Sequence, residues 1–396
     1  MKLKKVLAAA LIGAMTLTTF GCGGGDAEQG AAEQGGEAAA AIKVGGTGPL
    51  TGGASIYGIA VQRGAEIAVE EVNALGGVQF ELKMEDDAHD AEKAVNAYNA
   101  LKDWGMQLSL NSVTTTPGIA TSELNSQDSI FGLTPSASGT GVTEGKNNVF
   151  QMCFADPNQD SASAKYISEQ QLGSKIGVIY KNDDAYSSGI YETFKAEADA
   201  LGLEIVSETT FTTDSQNDFS VQLQAVADSG AELVFLPIYA QEAAYILTQA
   251  RGMDLNVVFF GCDGLDGVLT KIGEENVAAC EGVMLLTPFA ADAQDDQTVA
   301  FVTKYQEQFG EIPDQFAADG YDAVYAIAAA MTAAEITDLN DPDFNEKMIA
   351  AMTTITVDGL TGDSMTWTEG GEPNKQATAV VIVNGAYVAY TNVVAE

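Results

Sequence analysis

Arginine is almost absent from this 396-residue sequence, which contains only Arg63 and Arg251. Lysine and arginine together number 18 against 56 aspartates and glutamates, and the formal net charge is −38. A surface this acidic repels nucleic-acid phosphates, which argues against nucleic acid as a partner. Because guanidinium groups are scarce, hydroxyl and backbone N–H groups would have to bind most of any carboxylate ligand.

Several enzyme motifs are missing as well. His89 is the only histidine, so any serine–histidine pair would depend on it. The sequence lacks G-x-S-x-G, and neither GTGPLTG nor GTGVTEG has the last glycine of the dinucleotide-binding fingerprint. His89 lies within EDDAHD, but this spacing matches no established metal loop, and Asp90 suits a helix N-cap. We therefore expect no enzyme, no cofactor and no metal, with a secreted hydrolase as the alternative.

The N-terminus has the features of an exported lipoprotein. MKLKK is basic, VLAAALIGAMTL is apolar but short for a membrane span, and Gly21-Cys22 follows, although Thr19 occupies a position where Leu is usual. We predict a lipoprotein signal peptide over residues 1–21, lipidation of Cys22 and a flexible tether over residues 22–41. The protein would then be extracytoplasmic and lipid-anchored to the cell membrane. An ordinary secretory peptide is the alternative.

The other cysteines are Cys153, Cys262 and Cys280. Because an exported chain can form disulfides, we predict a bond between Cys262 and Cys280, with two buried free thiols as the alternative. Cys153 lies in the apolar run VFQMCFA and is expected in the core.

Short apolar runs alternate with amphipathic runs from Ile42 onwards. IKVGGTG, FELKMEDD, MQLSL and SIFGL are predicted strands, and the pattern restarts after Asp156-Pro157 with KIGVIY, LEIVSETTF, ELVFLPI, NVVFFG and GVMLLT. Strict alternation of strand and helix predicts parallel sheets covered on both faces, and two such series predict two α/β lobes. Near the C-terminus, SMTWT, TAVVIVN and AYVAYTNV, with a turn at Asn384-Gly385, predict an antiparallel end to one lobe.

Two clusters of hydroxyl side chains follow predicted strands, SVTTTPG after MQLSL and TPSASGT after SIFGL. Ligands of open parallel sheets bind beyond the carboxyl ends of the strands, and Pro117 marks a helix start that favours an anion. Ser112, Ser136 and Ser138 are therefore candidates for binding a carboxylate. The equally weighted alternative is that these residues are helix caps and turn formers.

The second half offers an acid and phenols at the corresponding positions. Tyr186, Tyr239 and Asp263 follow KIGVIY, ELVFLPI and NVVFFG, respectively. A carboxylate and phenols that face a cleft suit an ammonium group. The alternatives are a loop cap for Asp263 and a packing role at a helix start for Tyr186.

In this order and spacing, the segments resemble the type I periplasmic substrate-binding proteins of the leucine/isoleucine/valine-binding family. The resemblance covers residues 42–396 and rests on GPLTGGASIYG, GAEIAVEEVNALGGV, MEDDAHD, NSVTTTPGIA, LTPSAS, VIYKNDDAYSSG, FFGCDGLDG, EGVMLLTPF and FAADGYDAVYAIA. It implies an α/β fold class of two similar doubly wound parallel-sheet lobes joined by a three-crossing hinge.

The resemblance also implies lobe boundaries. The hinge crossings would lie near residues 155–158, 287–289 and 369–373. Lobe 1 would then comprise residues 42–156 and 288–368, and lobe 2 would comprise residues 157–287 and 369–396.

The same resemblance assigns roles to single residues. Ser112, Ser136 and Ser138 fall at positions that bind an amino acid carboxylate, and Tyr57 falls at an aromatic wall of the side-chain pocket. Tyr186 and Asp263 fall at positions that bind the ammonium group and close the cleft, with Tyr239 as a further match. Asp263 stands where the leucine binder has Glu, so the exact ligand stays open.

The implied function is capture of a small amino acid, branched-chain or aliphatic, and its delivery to an ABC permease in the membrane. We expect a monomer. The alternatives are a ligand-sensing module of a signalling receptor and a binder of amides, urea-like or aromatic compounds.

Overall fold

The structure is a computed structural model that describes residues 41–336 and 341–390. The predicted signal peptide, Cys22 and nearly all of the predicted tether lie outside these residues. Within the described ranges, no helix combines the length and apolar character that a membrane span requires.

The first sheet contains five parallel strands in the order β2-β1-β3-β4-β5. Three helices of the same region connect its strands. The strands are β1 (Ile42–Gly48), β2 (Phe80–Asp86), β3 (Leu108–Ser112), β4 (Gly132–Thr134) and β5 (Val149–Gln151), and the helices are α1 (Ser55–Ala74), α2 (Ala91–Trp104) and α3 (Thr115–Asp128).

The second sheet has seven strands in the order β12-β11-β10-β9-β8-β6-β7. Its first five strands in chain order, β6 to β10, are parallel to one another. β11 pairs antiparallel with β10, and β12 pairs antiparallel with β11. The strands are β6 (Lys175–Lys181), β7 (Glu204–Phe211), β8 (Leu233–Leu236), β9 (Val258–Gly261), β10 (Met284–Thr287), β11 (Thr378–Val383) and β12 (Ala386–Ala389). The associated helices are α4 (Asp156–Glu169), α5 (Ala185–Leu201), α6 (Ser220–Ser229), α7 (Ala240–Gly252) and α8 (Val268–Ile272).

Local sequence explains several element ends. Asp90 caps α2 by accepting the backbone N–H of Lys93 at 2.9 Å, as predicted, and Gly105 ends that helix in the left-handed region with φ 94°. The turn between β11 and β12 uses Asn384 and Gly385, both with positive φ, which suits a two-residue hairpin.

Three helices follow β10 in the sequence: α9 (Asp296–Phe309), α10 (Gln315–Ala333) and α11 (Phe344–Met352). α10 packs against α1 of the first sheet. A Cβ on Gly64 would lie 1.8 Å from the carbonyl oxygen of Ala317, and one on Gly320 would lie 2.4 Å from that of Val61. These two glycines therefore allow the close helix crossing. The exact boundaries of the lobes stay a prediction.

Two expectations differ from the structure. SMTWT forms no strand, since Met365 and Trp367 only make isolated bridges to Val357 and Pro373. Proline has no N–H group with which to extend such a ladder.

Cys153 is a buried free thiol, as expected, but Cys262 and Cys280 are buried free thiols as well and so differ from expectation. Cys262 follows the end of β9, whereas Cys280 precedes the start of β10. β9 and β10 are parallel, with Gly261 beside Leu285, so the two cysteines lie toward opposite ends of neighbouring strands. The disulfide predicted between Cys262 and Cys280 is therefore not formed.

Candidate functional site

The predicted site residues lie at the carboxyl ends of strands from both sheets. Ser112 ends β3, and Ser136 and Ser138 follow β4. From the second sheet, Tyr186 follows β6, Tyr239 precedes α7 after β8, and Asp263 follows β9. All of these side chains, and Tyr57 of α1, are buried. Direct contacts between the two sets, described below, show that the cleft is closed in this structure.

The three serines of the first-sheet side have different partners. The Ser112 hydroxyl donates to Oδ2 of Asp87 at 2.7 Å, and the Ser136 hydroxyl donates to the Val113 carbonyl at 2.6 Å. Ser138 Oγ is buried and has no hydrogen-bond partner within the described residues. Of the three serines, only Ser138 therefore has a hydroxyl that the described residues leave without a partner.

Backbone amides supply further donors on this side. α3 begins at Thr115 without a side-chain cap, so its first N–H groups have no such acceptor. The partial positive charge of a helix start favours a bound anion.

Tyr57 links the two sides directly. Its hydroxyl donates to the Gly264 carbonyl at 2.6 Å and accepts the Ala240 backbone N–H at 2.8 Å. Its ring lies 5.3 Å from that of Tyr239 and packs edge-on against Phe316 at 4.7 Å. Burial raises the pKa of Tyr57 well above its ordinary value, so the phenol stays neutral.

Asp263 lies at the centre of the second-sheet side. Its Oδ1 accepts the Tyr186 hydroxyl at 2.5 Å and the Gln159 side-chain amide at 3.2 Å. Its backbone N–H donates to the same Gln159 side chain at 2.7 Å. The Tyr186 ring stacks on Tyr239 with centroids 4.7 Å apart. Burial raises the pKa of Asp263, and these hydrogen bonds oppose that effect.

Asp156 and Asp160 were missed as candidates from the sequence. They lie one helical turn apart on the buried face of α4, and neither carboxyl has a hydrogen-bond partner among the residues that the structure describes. The Asp156 backbone N–H donates to the Ser138 carbonyl at 3.1 Å, which joins this acidic side to the hydroxyl side. Burial, followed by neighbouring carboxylates, raises the pKa of both acids well above the ordinary value.

The charge arrangement follows from these contacts. Asp156, Asp160 and Asp263 form no ion pair with lysine, arginine or histidine in the described part of the chain. Buried carboxylates are stable only with a proton or a positive partner. A ligand ammonium group would supply that partner. Asp156 begins α4 directly before Pro157, and its i, i+4 spacing with Asp160 was the sequence signal that could have revealed both acids.

Comparison with known proteins is consistent with this geometry. Residues 41–386 match the periplasmic binding protein family, and the chain belongs to that family. Members of the family bind solutes outside the cytoplasm without converting them, so this chain is an extracytoplasmic binding protein and not an enzyme.

Several individual proteins are similar to this chain. A Leu/Ile/Val-binding protein homolog of Brucella melitensis is 29% identical, over 75% of this chain and 80% of its own length. The branched-chain amino acid transporter substrate-binding protein of Streptococcus pneumoniae, solved in complex with isoleucine, is 25% identical, with a TM-score of 0.79 over 88% of this chain and 98% of its own. A Rhodopseudomonas palustris solute-binding protein, solved in complex with benzoate, has a TM-score of 0.79 at 21% identity, over 88% and 95% of the two chains. The predicted resemblance and fold class are confirmed.

Proposed function

We propose that this protein is the substrate-binding component of an ABC transporter and that it captures a small amino acid in the cleft. The observation that carries this proposal is that the two sides of the cleft present different chemical groups. Donors from Ser138 and the start of α3 face a carboxylate, whereas Asp156 and Asp263 face an ammonium group. An α-amino acid carries both groups on one carbon atom. Branched-chain and aliphatic amino acids are the first class to test, in view of the relatives.

Each site residue has a role in this proposal. Ser138 donates to the carboxylate, and Ser112 and Ser136 hold the loops that shape its subsite. Tyr57 and Tyr239 wall the side-chain pocket with aromatic surface, which suits an aliphatic group. Tyr186 holds Asp263 in position for the ammonium group.

Closure follows from binding in this scheme. Because the two sides come from different sheets, a ligand that contacts both stabilises the closed arrangement through hinge motion. A permease would receive the ligand when the cleft reopens. Lipidation of Cys22 would keep the protein close to that permease.

A second ligand class is an aromatic carboxylate, which the benzoate-bound structural neighbour and the three site tyrosines favour. Such a ligand has no ammonium group, and it would leave Asp156 and Asp263 without a positive partner. The amino acid therefore fits the site better.

A thermal-shift screen tests the proposal. The protein would be stripped of ligand by unfolding and refolding and then heated with individual amino acids, benzoate and aliphatic amides. A ligand that binds only the folded state raises the melting temperature by mass action. We expect a shift with leucine, isoleucine or valine that is lost in Asp263→Asn but kept in the exposed control Asp254→Asn. A shift with benzoate or amides alone would contradict the amino acid assignment.

Membrane association and permease activity test the other two parts of the proposal, the lipid anchor and the transport role. Cys22→Ala should release the protein from membranes, and an adjoining permease should show substrate-stimulated ATP hydrolysis with the protein present. ATP hydrolysis that does not respond to the protein would favour a sensory role instead.

A further inference from the structure

His89 belongs to the acidic run after β2, and the proposed ligand contacts do not explain its position. Ala88 and His89 both have left-handed backbone conformations, with φ 47° and 60°. Residues other than glycine adopt this region infrequently. The backbone N–H groups of Ala88 and His89 donate to the carboxylates of Asp86 and Asp87 at 2.9 Å and 2.8 Å. These bonds hold the loop in a conformation that directs the imidazole across the cleft.

The imidazole contacts both sides of the cleft. Its Nδ1 lies 2.9 Å from Oγ1 of Thr114, and its Nε2 lies 3.6 Å from Oδ2 of Asp184, which caps α5. The ring packs edge-on against Tyr239 with centroids 5.1 Å apart. Thr116 also donates to Oδ2 of Asp184, at 3.3 Å. The side chain of Asp184 is only 5% exposed, so salt and water screen this pair incompletely.

Asp184 presents a negative charge to the imidazole. Burial acts to raise the pKa of Asp184, but His89 and the backbone N–H of Ser187 hold it below its ordinary range. Most of the other charged groups near His89 are acidic. The other charged groups near it are Asp87 on its own loop, Glu242 on α7 and Lys181 of β6, which lies 3.6 Å from Glu242.

We propose that His89 is a positioning residue for cleft closure, and that its protonation tightens ligand capture at mildly acidic pH. The proposal rests on the proposed function and adds a regulation of that same site. Closure places the imidazole 3.6 Å from the Asp184 carboxylate, so a proton added to His89 completes an ion pair that only the closed state can form. By linkage, this ion pair would stabilise the closed state. Histidine changes its charge between about pH 5 and 8, which sets the range of the effect.

Calorimetric titration with L-isoleucine, or with the amino acid that gives the largest thermal shift, tests this proposal. His89→Gln removes the titrating group and keeps a polar side chain, and Asp184→Asn keeps a good helix cap without its charge. Other acids of the cleft titrate in every variant, so the readout is the ratio of variant Kd to unmodified Kd. We expect both ratios to rise about threefold to tenfold from about pH 8 to about pH 6.

The controls separate closure from folding. The double variant should show no larger ratio than either single variant, because both changes remove one interaction. Asp183→Asn, one residue away and exposed, should show a ratio that does not change with pH. Ratios for His89→Gln and Asp184→Asn that stay constant with pH would overturn the proposal. Circular dichroism identifies a variant that fails to fold, and the other variant then carries the test.

A ligand-free measurement distinguishes the two possible failures. If no amino acid binds, the proposed function fails, and closure is measured instead by small-angle X-ray scattering. From about pH 8 to about pH 6, the radius of gyration of the unmodified protein should decrease by more than that of His89→Gln. Equal changes in both proteins would overturn the proposal independently of ligand identity.

Discussion

The two sides of the cleft occupy equivalent places in similar sheets, yet they differ in chemistry. On the first-sheet side, the end of β3 and the loop after β4 offer hydroxyl and backbone N–H groups. On the second-sheet side, the ends of β6 and β9 offer phenols and carboxylates. In the proposed binding mode, the architecture sets where the ligand lies, whereas the residues that follow each strand decide which end of the ligand faces which sheet.

The largest expected effect comes from the acidic side. Asp263→Asn and Asp156→Asn should each weaken amino acid binding by about 2–3 kcal/mol, because each removes a hydrogen bond to a charged group. Calorimetry should then give Kd values raised roughly 30- to 150-fold. Asp254→Asn on the surface is the matched control. An unchanged Kd for both site variants would mean that the ammonium group binds elsewhere.

The contact that joins the two sides should have the next largest effect. Tyr57→Phe removes the hydroxyl that bonds to Gly264 and Ala240 but keeps the aromatic packing. We expect binding to weaken by about 1–2 kcal/mol, since two buried backbone groups lose their partner in the closed state. Tyr180→Phe, outside the cleft, is the control. A Kd equal to that of the unmodified protein would show that closure does not depend on this phenol.

The serines of the first-sheet side should separate into two kinds. Ser138→Ala should weaken binding by about 1 kcal/mol without changing the denaturation midpoint, because its hydroxyl has no protein partner. Ser112→Ala should instead lower the free energy of unfolding by about 1–2 kcal/mol, since Asp87 loses a buried hydrogen bond. The exposed Ser220→Ala is the control for both. The reverse pattern would place the carboxylate beside Ser112.

The smallest effect is proton release. Burial raises the pKa of Asp156 and Asp160, which favours their protonated forms in the ligand-free closed cleft. A bound ammonium group favours their charged forms, and binding should therefore release up to about one proton near pH 7, which strengthens binding as the pH rises. Calorimetry in buffers of different ionisation enthalpy measures this number. Proton uptake on binding would contradict this prediction, and so would a proton release that Asp160→Asn leaves unchanged.

Much of the fold could be predicted because hydrophobic periodicity is strong in these segments. The alternation of strands and helices, the cap at Asp90 and the hairpin at Asn384-Gly385 each depend on local sequence. β5 was missed because its three residues begin the longer run VFQMCFA, which shows no strand alternation. SMTWT alternates like a strand, but no neighbouring strand is available to pair with it.

The site was only partly predictable. The positions of Tyr57, Tyr186 and Asp263 follow from strand ends and from the family resemblance. The direction of each hydroxyl does not, because Ser112 and Ser138 differ only in which acceptors the folded chain brings near. The i, i+4 spacing of Asp156 and Asp160 was visible in the sequence, but their lack of a partner is a property of tertiary packing. The same holds for the spacing of Cys262 and Cys280, which parallel strands keep apart.

The hydroxyl of Tyr57 has a kinetic consequence. Opening must break its bonds to Gly264 and Ala240 together with its aromatic contacts, so this step should govern how long a captured solute is retained. Forming the Tyr57 contact requires no charge and little reorganisation, so the rate at which the solute binds should be less affected. A permease that prefers the open form would then have to supply enough binding free energy to offset this one contact before the solute is released.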